Sequence, residues 1–111
     1  MRIEGTNKND MNGGFKVFVE GKLLNPKKSW KMHNHSPNGF SWGYGGSGPA
    51  QLALALIIYG AEALYIPIME AVAYYQNLKW EFVAMLPKGG FNVEFDLLGW
   101  IKNRLSQKAI N

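Results

Sequence analysis

Gly39-Phe40-Ser41-Trp42-Gly43-Tyr44-Gly45-Gly46-Ser47-Gly48-Pro49-Ala50-Gln51 runs straight into the apolar stretch Leu52 to Tyr59, and this junction decides how the chain folds. Five glycines, three aromatics and two serines precede what reads as a helix. Proline is favoured at the first helical position and Ser47 or Gly48 can cap it, so the helix is expected to start near Pro49. Gly60 is a natural C-terminal stop, which places its end near Tyr59. Leu52, Leu56 and Tyr59 share one face, yet Ala53, Leu54, Ala55, Ile57 and Ile58 leave almost no polar side, so the helix is expected to be central and buried.

Working outward, Phe15-Lys16-Val17-Phe18-Val19 alternates apolar and polar residues, and Glu20-Gly21 offers a turn before Lys22-Leu23-Leu24. That pattern predicts a hairpin, stopped by Pro26. Ser29 to Met32 alternates again and predicts a third strand, and Phe40 to Trp42 a short one, with Ser36-Pro37-Asn38-Gly39 turning between them. Beyond the central helix, Glu62 to Ile66 reads as a linking turn and Pro67 as the start of a second helix reaching Leu86. In that stretch Ile68, Val72, Tyr75, Leu78, Phe82, Val83 and Leu86 recur at helical spacing. Phe91-Asn92-Val93 predicts a short strand, and Phe95 to Leu105 an amphipathic terminal helix with Leu97, Leu98, Ile101 and Leu105 inward. The expected fold is α+β, a small N-terminal antiparallel sheet or hairpin packed on a bundle of about three helices with a short late strand.

The chain has 111 residues, of which 47% are hydrophobic and 14% aromatic, enough for one folded domain over residues 13–111 behind a flexible start at 1–12. A domain this small leaves much apolar surface uncovered, which favours a homodimer. Without cysteine there are no disulfides, thiolate metal sites or cysteine nucleophiles. No basic-apolar signal opens the chain, and Gln51, Gly60, Glu62, Pro67 and Glu70 interrupt its longest apolar region. A soluble, cytoplasmic protein without membrane contact is therefore expected.

The formal charge is +4, and no carboxylate occurs between Glu20 and Glu62, an interval holding Lys22, Lys27, Lys28, Lys31 and both histidines. Such one-sidedness suits an anionic partner or a solubilising lysine cluster. Glycine-loop amides ahead of a helix N-terminus suit phosphate, with Gly43, Gly45, Gly46, Ser47 and Gly48 as the ligand-binding set. Gly43 to Gly48 also matches G-x-G-x-x-G, but a dinucleotide fold needs a parallel sheet for which the chain is too short.

His33 and His35 read three ways: as a metal pair lacking further ligands, as a proton shuttle beside a phosphate loop, or as hydrogen-bond partners of the turn at Ser36. No metal or other cofactor is expected. Metal-free RNA cleavage uses the ribose 2′-hydroxyl as nucleophile, so a protein need supply only alignment, proton transfer and donors to the phosphorane oxygens. His35, His33, Tyr44 and Lys79 are the catalytic candidates. Trp42 is read as a base-stacking or a core residue, Gln51 as a ligand contact or a tie for the loop, and Lys79 as functional or an ordinary exposed lysine.

The run Ser36 to Ala55, followed by Tyr75-Gln76-Asn77-Leu78-Lys79, Leu86-Pro87 and a terminal helix with Trp100, resembles the signature of a small, largely uncharacterised family of bacteria, archaea, phages and plasmids. That spread over cellular and mobile genomes is similar to that of the ring nucleases of CRISPR antiviral defence, which linearise cyclic oligoadenylate messengers. The resemblance implies a metal-independent phosphodiesterase with a nucleotide ligand, its site shared across a homodimer axis. Two alternatives stand beside it: a non-catalytic module that sequesters the nucleotide signal, and a phage-type protein-binding inhibitor such as an anti-CRISPR.

Overall fold

The computed structural model describes residues 1–6 and 15–110. In chain order the elements are β1 (Arg2–Thr6), β2 (Lys16–Val19), β3 (Lys22–Leu23), α1 (Lys27–Met32), α2 (Ser47–Leu64), α3 (Ile68–Val72), α4 (Tyr75–Glu81), a single 3-10 turn (Val83–Met85), β4 (Gly90–Glu94) and α5 (Leu97–Ile110). The four strands form one antiparallel sheet in the order β3-β2-β1-β4. This is the α+β architecture the sequence predicts, and an antiparallel sheet is not the scaffold of a dinucleotide-binding fold.

The predicted hairpin is β2 and β3, with Glu20 and Gly21 both at positive φ in the turn. The chain start departs from expectation. Arg2–Thr6 lies between β2 and β4, with Ile3 opposite both Val19 and Val93. Its polar letters hide an alternation in which Ile3 and Gly5 face inward. Gly5 is there because the Phe91 ring across the strand pair covers the space a Cβ would take. Residues 7–12 of the expected flexible start lie outside the described residues.

Ser29–Met32 is helix, not a third strand. Pro26 already has helical angles (φ −75°, ψ −9°), and Asn25 Oδ1 accepts the Lys27 amide at 2.9 Å, which organises the first turn. The residue α1 buries is Ser29, the smallest of the four, where it packs beside α2. Phe40 to Trp42 is irregular rather than a strand, although Phe40 and Trp42 are buried.

Helix α2 starts two residues before Pro49, with Gly46 as its N-cap, and continues through Gly60 to a left-handed cap at Tyr65. Gly60 does not stop the helix because α5 crosses there, and Ile101 Cδ1 occupies the place of its missing Cβ. Gly48 to Ile58 is buried without interruption, as the apolar pattern requires. This helix has the length and hydropathy to cross a membrane, but other elements enclose most of it and it forms the core.

The helix expected from Pro67 to Leu86 is three pieces. Backbone angles leave the helical region at Tyr74 (φ −111°, ψ 7°) and at Phe82 (φ −127°, ψ −62°). These breaks let α3, α4 and the 3-10 turn each pack on α2, which a straight rod does along only one line. The late strand and terminal helix are present, with Leu97 and Ile101 buried and Leu98 and Leu105 half-buried.

Candidate functional site

The odd polar residue of α2, Gln51, is fully buried. Its Oε1 accepts the amides of His35 (2.7 Å) and Ser36 (3.0 Å), and its Nε2 donates to Ser29 Oγ (2.9 Å) and the His33 carbonyl (3.1 Å). A side-chain amide has two donors and two acceptor positions, and all are used. Gln51 therefore anchors the histidine segment from inside and leaves no hydrogen-bonding position for a ligand.

That anchoring sets the geometry of His33 and His35. Their rings stack with centroids 3.9 Å apart and 6° between planes, so their nitrogens do not converge on a common ion. Among the described residues no three histidines, cysteines or carboxylates gather as a metal site. His35 Nε2 is 2.6 Å from the hydroxyl of Tyr75, the first residue of α4. Burial, then the neighbouring charges of His33 and Lys79, hold the His35 pKa below the usual imidazole value, so near neutral pH its ring is uncharged.

One helical turn beyond Tyr75 stands Lys79, which is buried, with 8% of its surface exposed. Its ammonium donates to the Gly45 carbonyl at 3.2 Å and lies 4.3 Å from the centre of the Trp80 ring. It pairs with no carboxylate among the described residues. A buried cation normally has a counter-charge, and here a peptide carbonyl and an indole face take its place.

The glycine loop is closely packed on one side. Gly43 (φ +85°) donates its amide to the Val83 carbonyl at 3.1 Å, so this amide is already engaged. The Trp80 ring lies on Gly45, the Tyr44 ring on Gly46, and Ser41 Oγ against Gly48. The hydroxyls of Ser41 and Tyr44 bond to each other at 2.9 Å. The amides of Gly45, Gly46, Ser47 and Gly48 donate to no acceptor among the described residues, and Ser47 is exposed while Gly48 is buried.

Trp42 is 3% exposed, edge-on to Phe91 at 4.9 Å, with its indole N–H unpartnered among the described residues. It lines a hollow of about 230 Å³ with Phe15, Ser41, Tyr44 and Lys88. The exposed rings at the loop are Tyr44 (47%) and Trp80 (59%). Trp80 and Tyr75 are not among the candidate site residues that the sequence reading names. Tyr75 and Lys79 are four apart on one helix and so share a face, a signal that is legible in the spacing alone. The basic interval is also less one-sided in space, because Glu62 Oε2 pairs with Lys28 Nζ at 2.7 Å.

No curated protein and no solved structure matches the chain. The model of DUF6166, a family of unknown function, matches residues 5–103, nearly the whole of this domain, and the chain belongs to that family.

Proposed function

We propose that the protein binds a nucleotide phosphate at the N-terminus of α2 and linearises cyclic oligoadenylate without a metal. The observation that carries this reading is the buried Lys79 ammonium, which among the described residues has no carboxylate partner and bonds to the loop whose next amides have no acceptor. An anion there supplies both the missing counter-charge and the missing acceptors. Tyr44 in this loop and Trp80, whose exposed ring reaches Gly45 from α4, offer rings on which bases stack. In the reaction the ribose 2′-hydroxyl attacks the adjacent phosphorus and gives its proton to the neutral His35 ring, and the P–O5′ bond breaks to leave a 2′,3′-cyclic phosphate while the 5′-oxygen takes up a proton from water. Lys79 balances the charge that builds on the phosphorane oxygens.

A second reading, sequestration without cleavage, is favoured by one feature: His35 Nε2 and Lys79 Nζ both already bond within the protein. Incubation with cyclic tri-, tetra- and hexa-adenylate in chelator, followed by chromatography, separates the two. Linear products support the phosphodiesterase. Intact rings with a raised melting temperature leave sequestration. Intact rings with no thermal shift remove both.

A further inference from the structure

A hollow larger than the one beside Trp42 lies away from the glycine loop. It measures about 350 Å³ and lies between the β2–β3 hairpin, α1 and the C-terminal half of α2. That volume is within the range of small-molecule sites. Val19, Leu24, Ala55 and Ile58 form its apolar wall, and Leu23, 59% exposed, is an apolar residue at its edge. Lys22 and Lys27 line it as exposed cations that pair with no carboxylate among the described residues. Lys28 and Glu62 also line it, but they neutralise each other. Tyr59, half-buried on α2, contributes a hydroxyl that bonds to no described group.

We propose that this hollow binds a single-headed anionic amphiphile, an apolar chain ending in one carboxylate or phosphate. Burying an apolar chain against the wall of Val19, Leu24, Ala55 and Ile58 is favourable by about 0.8 kcal/mol per methylene. Two uncompensated lysines select a negative head and disfavour a positive one. The head remains within reach of water, so the ligand avoids the cost of burying its charge. This site is independent of the nucleotide reading, because it lies along the other half of α2.

The test is an amide NMR titration of the full chain with decanoate, decyl phosphate, decanol and decyltrimethylammonium, each below its micelle concentration. Saturable shifts at Leu23, Leu24 and Ile58 are expected from decanoate, decyl phosphate or both, and their relative affinity identifies the head. Decanol and the cation are expected to bind at least about tenfold more weakly. The double variant Lys22→Glu, Lys27→Glu changes two exposed residues and is expected to weaken anion binding by about tenfold or more with little change in melting temperature. Ala55→Leu fills the hollow and blocks binding, and the charge reversal carries the test if that variant does not fold. Absence of saturable shifts, equal binding of decanol or the cation, or indifference to charge reversal overturns the proposal.

Discussion

Gln51 Oε1 accepts the backbone N–H of His35 at 2.7 Å, so the central helix holds a loop residue sixteen positions earlier in the chain from within the core. The same side chain makes three further hydrogen bonds, to Ser36, Ser29 and His33. Replacing it leaves two amides and a carbonyl without their partner in a partly buried place. Gln51→Leu is expected to cost about 3 kcal/mol, measured by urea unfolding. A loss below about 1 kcal/mol contradicts this account.

The acid side of the stability curve depends on His35. Its folded pKa is below the ordinary value, so as pH falls through about 6.5 the unfolded chain takes up a proton that the folded chain resists. Stability from this source is intact above that value and declines until the lower folded pKa is passed. Urea midpoints at pH 7.5, 6.5 and 5.5 are expected to fall for the wild type and to fall less for His35→Asn. A steeper decline in the variant contradicts the assignment.

Lys79→Met keeps most of the length of the side chain and removes the charge. Since no carboxylate among the described residues loses a partner, the melting temperature is expected to hold or rise. Affinity for any phosphate-bearing ligand of the loop is expected to fall by about tenfold or more, read by calorimetry with the cyclic adenylates. A destabilised variant with unchanged affinity refutes the role given to this lysine.

Two glycines separate backbone strain from close packing. Gly21 (φ +79°) has open space where a Cβ would sit, so Gly21→Ala bears only the left-handed strain of about 1 kcal/mol. At Gly43 (φ +85°) a Cβ meets the Leu86 carbonyl at 2.9 Å and the Lys88 side chain at 2.6 Å. Gly43→Ala is therefore expected to be the more destabilising in paired unfolding curves, by about 1 to 3 kcal/mol more. Equal costs count against the packing argument.

Whatever repeats over a few residues was legible in the letters alone. The alternation of Phe15 to Val19 with the turn at Glu20-Gly21 specifies the hairpin, and the unbroken apolar run after Gln51 specifies a buried helix. Each follows from the period with which a strand or helix presents its faces. The start of the chain escaped because Arg2–Thr6 buries only Ile3 and Gly5, too few letters for a pattern, and it pairs with strands both nearby and far along the chain.

Tertiary structure alone decided the rest. Ser29 to Met32 has the same alternation as a strand, and it is helical because Pro26 and Asn25 set its first turn and because Ser29 meets Gln51. The periodicity from Ile68 to Leu86 is helical throughout, yet three separate pieces wrap α2. At the site, type and position of Trp42 and Trp80 give no hint which is covered: Phe91 packs on the first, while the second lies exposed on Gly45. Residue order carries local period, but burial and hydrogen-bond partners depend on contacts between segments that only the closed fold brings together.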